Sequence, residues 1–384
     1  MKKALIGVLV IGIAFCAIPL PSRQGGSFQS AARGSGPLRA GAAKVRIELP
    51  EHPVLAGYAG HHRAREWNEP VHARALVLEA GSARAVIAAI DTLLVPPGFP
   101  QPEGCALLAA THTHTGPGGL WDNALTGLLG AGAPDSAQRA AVVRALREAV
   151  DRAAAALAPA ELQMGRELWP QGPSVARSEG PIDPELVALR LRRPSGPTVA
   201  TVIVYAMHPT SAPHDVLSAD WPAQLEAGPP TLVLQGAVGN TTWPRGRPLA
   251  PPIAAQVETL LRDAPWLSEL PLDCETRSVA TPPAQASLHI PWLVRRAATN
   301  LLTLAYPPDA LQTRLRLGPV TLLGVPGEPV GELGLLARPA VVVGLAGGYL
   351  GYLETRERWE RGEGEATKTY FGPDLAHALG LGTR

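Results

Sequence analysis

A series of short apolar runs, separated by Gly and Pro, constrains the fold of this 384-residue chain more than any other feature. Runs of this length that end at turn-forming residues are typical of buried β-strands. They are KVRIEL, ARALVLEA, ARAVIAAID, GCALLAATHTH, ELVALRLRR, TVATVIVYAMH, PTLVLQGAVG, TRLRLGPVTLLGVPGE and AVVVGLAGG. The sequence therefore predicts a core built from many strands.

Helical patterns lie between several of these runs. The clearest covers residues 136–157, and weaker ones cover residues 253–263 and 291–304. No internal repeat and no second linker interrupt residues 44–384. We therefore expect a single large α/β domain with mixed β-sheets flanked by helices, and an active site at the strand ends.

The first 43 residues differ from the rest of the chain. Two lysines precede an apolar run at residues 4–20, which is the layout of a secretory signal peptide or a short membrane anchor. Residues 21–43 are rich in Gly, Ser and Arg without an apolar period, and they predict a flexible linker. We expect an exported protein, periplasmic or extracellular, that is either released or held at the membrane by residues 4–20.

The net charge limits the kinds of binding partner, and the cysteines bear on the cellular compartment of the protein. A net charge of +1 with 17% charged residues gives no electrostatic basis for nucleic-acid binding. Cys105 and Cys274 would lie in an oxidising compartment after export, either as one disulfide or as two buried thiols. Nothing in the sequence fixes an oligomeric state.

Two histidines stand one residue apart in ATHTHTGPGG, residues 110–119. On a strand, residues i and i+2 face the same side, so His112 and His114 would converge on one ion or one substrate atom. Two polar residues on a solvated strand face would have the same spacing. His208 and Glu328 also follow apolar runs, where a hydrogen-bonded strand-end histidine and a surface turn carboxylate are the competing interpretations.

The order of these blocks resembles the catalytic domain of the neutral ceramidases, zinc-dependent amidases that cleave the N-acyl bond of ceramide. THTHTGPGG, AMHPTS, VPGE and GYLGYLE are similar to blocks of that family, over roughly residues 46–380. The resemblance implies an N-acyl lipid substrate, hydrolysed by a metal-activated water. It also implies that Zn²⁺ is bound by His112, His208, Glu328 and Tyr352.

The same resemblance implies catalytic roles for three further residues. His114 and Arg177, the latter in ARSEGP, would stabilise the oxyanion. Thr242, in GNTTWPRG, stands where the family has an active-site serine. Thr keeps the hydroxyl but adds a methyl group that restricts its side-chain torsion. Two turn hydroxyls after a strand are the competing interpretation of Thr241 and Thr242.

A second departure is Gly364, which stands where family members have a tyrosine beside the substrate. Glu363 and Glu365 are the candidates to replace that polar group, although charged residues in such a loop are often only solvated. Two alternatives therefore stay open: a hydrolase of a different N-acyl or ester substrate, and a zinc-retaining binding protein without turnover. Because the sequence ends at Arg384, we expect residues 44–384 to be the catalytic domain, without the C-terminal β-sandwich domain of better-known members.

Overall fold

The computed structural model describes residues 27–60, 62–123, 130–226, 228–246, 249–286 and 291–382. The described strands are β1 (Gln29–Arg46), β2 (Glu66–Trp67), β3 (His72–Ala80), β4 (Ala83–Ile90), β5 (Cys105–Ala110), β6 (Ala158–Pro159), β7 (Glu161–Leu168), β8 (Val175–Ala176), β9 (Glu185–Arg192), β10 (Thr198–Tyr205), β11 (Val216–Leu217), β12 (Thr231–Gln235), β13 (Thr241–Thr242), β14 (Glu269–Ala280), β15 (Asp309–Leu317), β16 (Val320–Gly324), β17 (Glu328–Pro329), β18 (Val341–Val343) and β19 (Tyr352–Leu353). The described helices are α1 (Ser136–Ala155), α2 (Trp221–Gln224), α3 (Ala250–Leu261), α4 (Trp292–Ala305), α5 (Gly331–Leu336), α6 (Arg356–Arg361) and α7 (Asp374–Ala378).

The larger sheet has nine strands in the order β18-β16-β15-β14-β1-β3-β4-β5, and β6 pairs with β1. The β4–β5 and β16–β18 pairs are parallel, and the remaining pairs along this path are antiparallel. A single bridge joins Ala109 of β5 to Ala346, just beyond β18. The two ends of the sheet therefore meet next to the loop that carries His112 and His114.

The smaller sheet has the order β12-β10-β9-β7 and packs against one face of the larger one. Strand β3 illustrates the packing, because Leu76 and Leu78 contact the core between the sheets, whereas Ala75 and Val77 contact the core on the opposite face. Successive side chains of a strand point to opposite faces, and here both faces are covered. Hence the strands read as nearly continuous apolar runs.

Helices cover the outer faces of both sheets. Buried residues of α1 pack on the larger sheet, and those of α3 pack on the smaller one. Asp135 caps α1 by accepting a hydrogen bond from the Gln138 backbone N–H. The predicted mixed α/β fold with flanking helices is confirmed, and helix α1 matches the predicted residues 136–157 to within two residues.

The flexible linker predicted for residues 21–43 is wrong where the structure describes it. Residues 29–43 belong to β1, which pairs with β14 and β3 in the middle of the larger sheet. Its glycines serve close packing: a Cβ on Gly34 would lie 2.4 Å from the Ala80 carbonyl oxygen, and one on Gly41 would lie 2.1 Å from that of Ala153. Small residues mark a crowded strand here, because larger side chains have no room.

Two further predictions, a disulfide and an export segment, concern the cellular compartment of the protein. Cys105 and Cys274 form a disulfide that connects β5 to β14, so the disulfide alternative holds in the structure. The predicted export segment, residues 4–20, lies outside the described residues. Among the helices that are described, none has the length and apolar character needed to cross a membrane.

Candidate metal centre and active site

Loops at the ends of strands from both sheets bring the candidate residues together. His112 and His114 follow β5 of the larger sheet, and His208 follows β10 of the smaller sheet. Glu328 begins β17, after β16. The candidate residues therefore lie at strand ends, as the sequence predicted.

The strand geometry expected for His112 and His114 is wrong. Strand β5 ends at Ala110, and His112 lies beyond it with a φ of 72°, in the left-handed region. Its backbone N–H donates to the Thr92 carbonyl at 3.0 Å, which fixes this unusual conformation. The two imidazoles converge because the loop turns sharply, and the pleat of a strand plays no part.

The ring nitrogens and one carboxylate oxygen lie within a few ångströms of each other. Glu328 Oε2 is 3.2 Å from His112 Nε2 and 3.2 Å from His208 Nε2. His114 Nε2 is 3.4 Å from His112 Nε2. His112, His208 and Glu328 are buried, whereas His114 is half-buried. His114 is therefore the member of the group that solvent or a substrate reaches.

Backbone carbonyls determine which nitrogens carry protons. His112 Nδ1 lies 2.7 Å from the Leu93 carbonyl oxygen, and His114 Nδ1 lies 3.1 Å from that of Gly57. A carbonyl only accepts, so each Nδ1 donates and each Nε2 of a neutral imidazole has a lone pair. Two lone pairs that face each other at 3.4 Å cannot share a hydrogen bond. This tautomer suits a cation between the rings, as in metal-binding histidines.

Several buried atoms of the group have no hydrogen-bond partner. Within the described part of the chain, these are both ring nitrogens of His208 and Oε2 of Glu328. An unsatisfied buried polar atom costs free energy, and an unpaired buried charge costs more. A metal ion would satisfy these atoms, so the residues present fit such an ion. The histidine group His112, His114 and His208 could bind a metal.

The local environment sets the charge states that metal binding needs. Burial lowers the pKa of His208 to about 4, and burial together with the neighbouring histidines holds the pKa of His114 well below its ordinary value. Burial alone would raise the pKa of Glu328, but His112 and His208 outweigh it and hold this pKa well below its usual range. Neutral imidazoles and an ionised carboxylate are the forms that bind divalent metals.

Tyr352 lies beside the carboxylate through a short parallel pair of strands. Strands β17 and β19 place Glu328 directly opposite Tyr352. The Tyr352 hydroxyl accepts a hydrogen bond from Arg177 Nη2 at 2.8 Å. Sequence reasoning missed Tyr349, whose hydroxyl donates to Glu328 Oε1 at 2.8 Å. The signal was available, since both tyrosines stand in GGYLGYLE.

Arg177 connects several parts of the site. It directly follows β8, which pairs with β13 at Thr241 and Thr242, and its Nη2 contacts the Gly239 carbonyl, the Tyr352 hydroxyl and Glu365 Oε1. Burial opposes the charge of Arg177, but Tyr352 and the carboxylates of Glu365 and Glu328 outweigh burial and raise the pKa of Arg177. Arg177 therefore stays charged in the site.

Two positions, Thr242 and Gly364, depart from the family pattern. The structure distinguishes Thr241 from Thr242, and it distinguishes the two glutamates on either side of Gly364. Thr241 donates its hydroxyl to the Val238 carbonyl at 2.9 Å, whereas the Thr242 hydroxyl makes no hydrogen bond to any described residue. Glu365 is buried and lies 3.0 Å from Arg177, whereas Glu363 is exposed. Of the two glutamates, Glu365 is the one that reaches the site.

The class of this protein follows from its fold and its site: a mixed α/β domain with two packed sheets and a group of histidines that could bind a metal at their strand ends. Two solved structures share this fold. The neutral ceramidase from Pseudomonas aeruginosa superposes with a TM-score of 0.72 at 21% identity, covering 90% of this chain and 73% of that chain. A structure described as ceramidase complexed with C2 gives a TM-score of 0.70 at 19% identity, covering 90% and 74%. The fold that the resemblance implied is thereby confirmed.

Sequence comparison alone does not reach these proteins. No protein-family model matches this chain, and no curated protein matches it. The likeness therefore lies in the fold, and the chemistry must be argued from the residues of this chain.

Proposed function

We propose that this protein is a zinc-dependent amidase of the neutral ceramidase type, which hydrolyses the N-acyl bond of ceramide or a related N-acyl lipid. One observation carries the proposal: in a fold shared with two ceramidases, His112, His208 and Glu328 converge, and His208 Nε2 and Glu328 Oε2 have no hydrogen-bond partner in the described part of the chain. Buried polar atoms without a hydrogen-bond partner destabilise the fold unless an ion binds them.

In this proposal, His112, His208, Glu328 and Tyr352 hold the zinc. Two imidazole nitrogens and two oxygens form a ligand set that suits zinc and leaves room for a water. When bound, zinc would lower the pKa of a water from ~15.7 toward ~7 and polarise the substrate carbonyl. Other divalent ions accept nitrogen and oxygen ligands as well, so the metal content itself needs measurement.

We assign His114 to proton transfer. Its Nδ1 donates to the Gly57 carbonyl, so the Nε2 of the neutral ring has the lone pair and can accept a proton. This tautomer favours a general base over the oxyanion role that the resemblance implies for His114. The proton taken from water as oxygen attacks the carbonyl carbon would pass to the amine nitrogen as the C–N bond breaks.

Arg177, whose Nη2 lies 2.8 Å from the Tyr352 hydroxyl, would face the negative charge that develops on the carbonyl oxygen. Gly239 and Glu365 fix the guanidinium in place, which supports a preorganised role. Thr242, with its unpaired hydroxyl on the strand beside Arg177, would position water or substrate.

An exported location is part of the same proposal. The disulfide between Cys105 and Cys274 supports it, because such bonds persist in oxidising compartments. The signal peptide or anchor at residues 4–20 supports it independently from the sequence.

The test combines metal content by elemental analysis with fatty-acid release from a fluorescent ceramide. Wild type, His112→Ala and the matched control His377→Ala would be compared, since His377 is an exposed histidine on α7. We expect one zinc per chain and turnover in wild type and control, and the loss of both in His112→Ala. Absence of metal from the wild type would refute the ligand set, and zinc without turnover would refute ceramide as the substrate.

A different N-acyl or ester substrate, or a zinc-binding protein without turnover, is the second candidate. Glu365 favours it, because a carboxylate lies against Arg177 in the segment where the family has a tyrosine. Thr242→Ser tests whether turnover has been lost through the added methyl group. If that methyl group limits turnover at a torsional cost of order 0.5–1.5 kcal/mol, the variant should be about 2- to 12-fold faster. Thr241→Ser is the control, since its hydroxyl is already bound to Val238.

A further inference from the structure

Helix α4 carries an apolar face that no described residue covers. Trp292, Val294, Leu301 and Leu304 are 60%, 57%, 41% and 46% exposed. At about 100° per residue, Val294, Leu301 and Leu304 fall within roughly 80° of one another, so they form one stripe along the helix, whereas Trp292 lies on the other side of the first turn. Apolar side chains grouped in this way mark interaction surfaces, whereas scattered ones do not.

Other positions of α4 are fixed to the protein. Asn300, Leu302 and Ala305, which flank the stripe, are buried, and the Thr299 hydroxyl accepts a hydrogen bond from the Ala286 backbone N–H at 3.2 Å. The exposed stripe is therefore held outward by packing on both sides of it. A helix that had merely detached from the core would leave these residues exposed.

The N-terminal end of the described chain lies beside the C-terminal end of α4. The Ser278 N–H donates to the Phe28 carbonyl, and the Ser278 hydroxyl donates to Asp309, four residues after the helix. Phe28 is itself 48% exposed. The apolar run ends at Leu20, so the intervening chain spans at most about 30 Å when fully extended. Residues 4–20, if they enter a bilayer, keep the end of the molecule that carries α4 close to its surface.

Helix α4 is also connected to the proposed active site. Tyr306, directly after the helix, packs against Trp121, Tyr370 and Phe371, with ring centroids 5.1–5.7 Å apart. A Cβ on Gly351, the residue before Tyr352, would lie 2.6 Å from the Tyr370 ring. The aromatic group therefore connects α4 to the segment that carries Tyr352.

We propose that α4 docks on a lipid bilayer, with Val294, Leu301 and Leu304 in the acyl boundary. An amphipathic helix that lies in the interface buries its apolar face in this way. The docking itself does not depend on ceramide being the substrate.

The experiment uses the full chain bound to phosphatidylcholine vesicles, with and without nitroxide-labelled lipid. Cys16→Ala removes the cysteine outside the disulfide, and Leu301→Cys receives an environment-sensitive fluorophore. Leu168→Cys is the matched control, because Leu168 is 54% exposed but lies on the smaller sheet. Unchanged thermal unfolding of both variants establishes that they fold.

We expect vesicles to shift the emission of the label at residue 301 to the blue and nitroxide lipid to quench it, while the label at residue 168 stays unchanged. Equal, water-like emission at both positions would overturn the proposal. A blue shift at residue 301 that nitroxide lipid does not quench would also overturn it, because residues 4–20 or a second copy of the chain would then cover the stripe. Neither readout involves turnover, so a failure here is distinct from a failure of the proposed amidase.

Discussion

Glu365 is buried against Arg177, although Glu363 two residues earlier is exposed. Glu365 also accepts hydrogen bonds from Ser178 Oγ at 3.0 Å and from Lys368 Nζ at 2.8 Å. We expect Glu365→Gln to lower kcat roughly tenfold, because Gln keeps the size of the side chain but no longer holds Arg177 by its charge. This is less than the loss of about 100-fold that removal of an oxyanion donor itself would cause.

Kinetic measurement with a ceramide substrate checks this prediction, with metal content measured in parallel. Zinc should be retained, since Glu365 does not contact the histidine group. Glu363→Gln is the control and should behave as wild type, because its side chain is solvated. If Glu365→Gln loses metal, the residue supports the metal centre and does not act through Arg177.

His208 makes the metal-free protein sensitive to acid. Burial lowers its pKa in the folded state to about 4, from an ordinary value of 6.5. Between these values the unfolded chain binds a proton that the folded chain excludes, so stability is complete above about pH 6.5 and is lost as pH falls toward 4. We expect a loss of up to about 1.4 kcal/mol per pH unit from this group.

Denaturant unfolding of chelator-treated protein at pH 7.5 and pH 5 measures the effect. His208→Asn should show a smaller difference between the two pH values, because the variant has no group to titrate at this position. A wild type with equal stability at both pH values would contradict the prediction.

At the scale of elements, the loop that precedes β2 supports the histidine loop through Gly57. Gly57 has a φ of 120°, and a Cβ there would lie 2.1 Å from the His114 carbonyl oxygen. We expect Gly57→Ala to reduce stability by more than about 2 kcal/mol and to reduce metal content, because backbone strain and the clash both displace His114. Thermal unfolding and elemental analysis would record both effects.

Gly98→Ala is the matched control for this prediction. Gly98 also has a positive φ, of 67°, but a Cβ there meets no atom within 4 Å. The variant should lose only about 1 kcal/mol, the cost of the left-handed conformation, and keep its metal. Equal losses in the two variants would show that the contact with His114 is unimportant.

The apolar runs predicted most strands, because burial on both faces leaves a continuous signal in the sequence. They predicted only the end of β1 and missed its residues 29–43, since the Gly and Ala residues there reflect close packing against Ala80 and Ala153, far away in the chain. The site also depends on contacts between residues that are far apart in the chain. His112, His208 and Glu328 follow apolar runs and could be selected, whereas the carbonyls of Leu93 and Gly57 that orient the rings leave no mark on side-chain identity.

At the scale of the whole molecule, the disulfide connects two strands of the larger sheet that are not neighbours in it. Cys105 of β5 and Cys274 of β14 are separated by 169 residues, with β1, β3 and β4 between their strands. Closing so long a loop constrains the unfolded chain, and the chain-entropy relation gives up to about 5 kcal/mol of stabilisation. Because Cys105 starts the strand that leads to His112, the bond also anchors the base of the metal loop.

We therefore expect Cys105→Ser/Cys274→Ser to unfold at lower denaturant concentration by an amount approaching this value, with metal still bound because neither sulfur belongs to the site. Cys16→Ala is the control and should unfold as wild type. Thiol titration of the protein unfolded without reductant gives an independent count. One thiol per chain indicates that Cys16 is retained, and none indicates that it has been removed. Three thiols would mean that the protein matures in a reducing compartment, which would contradict its proposed export.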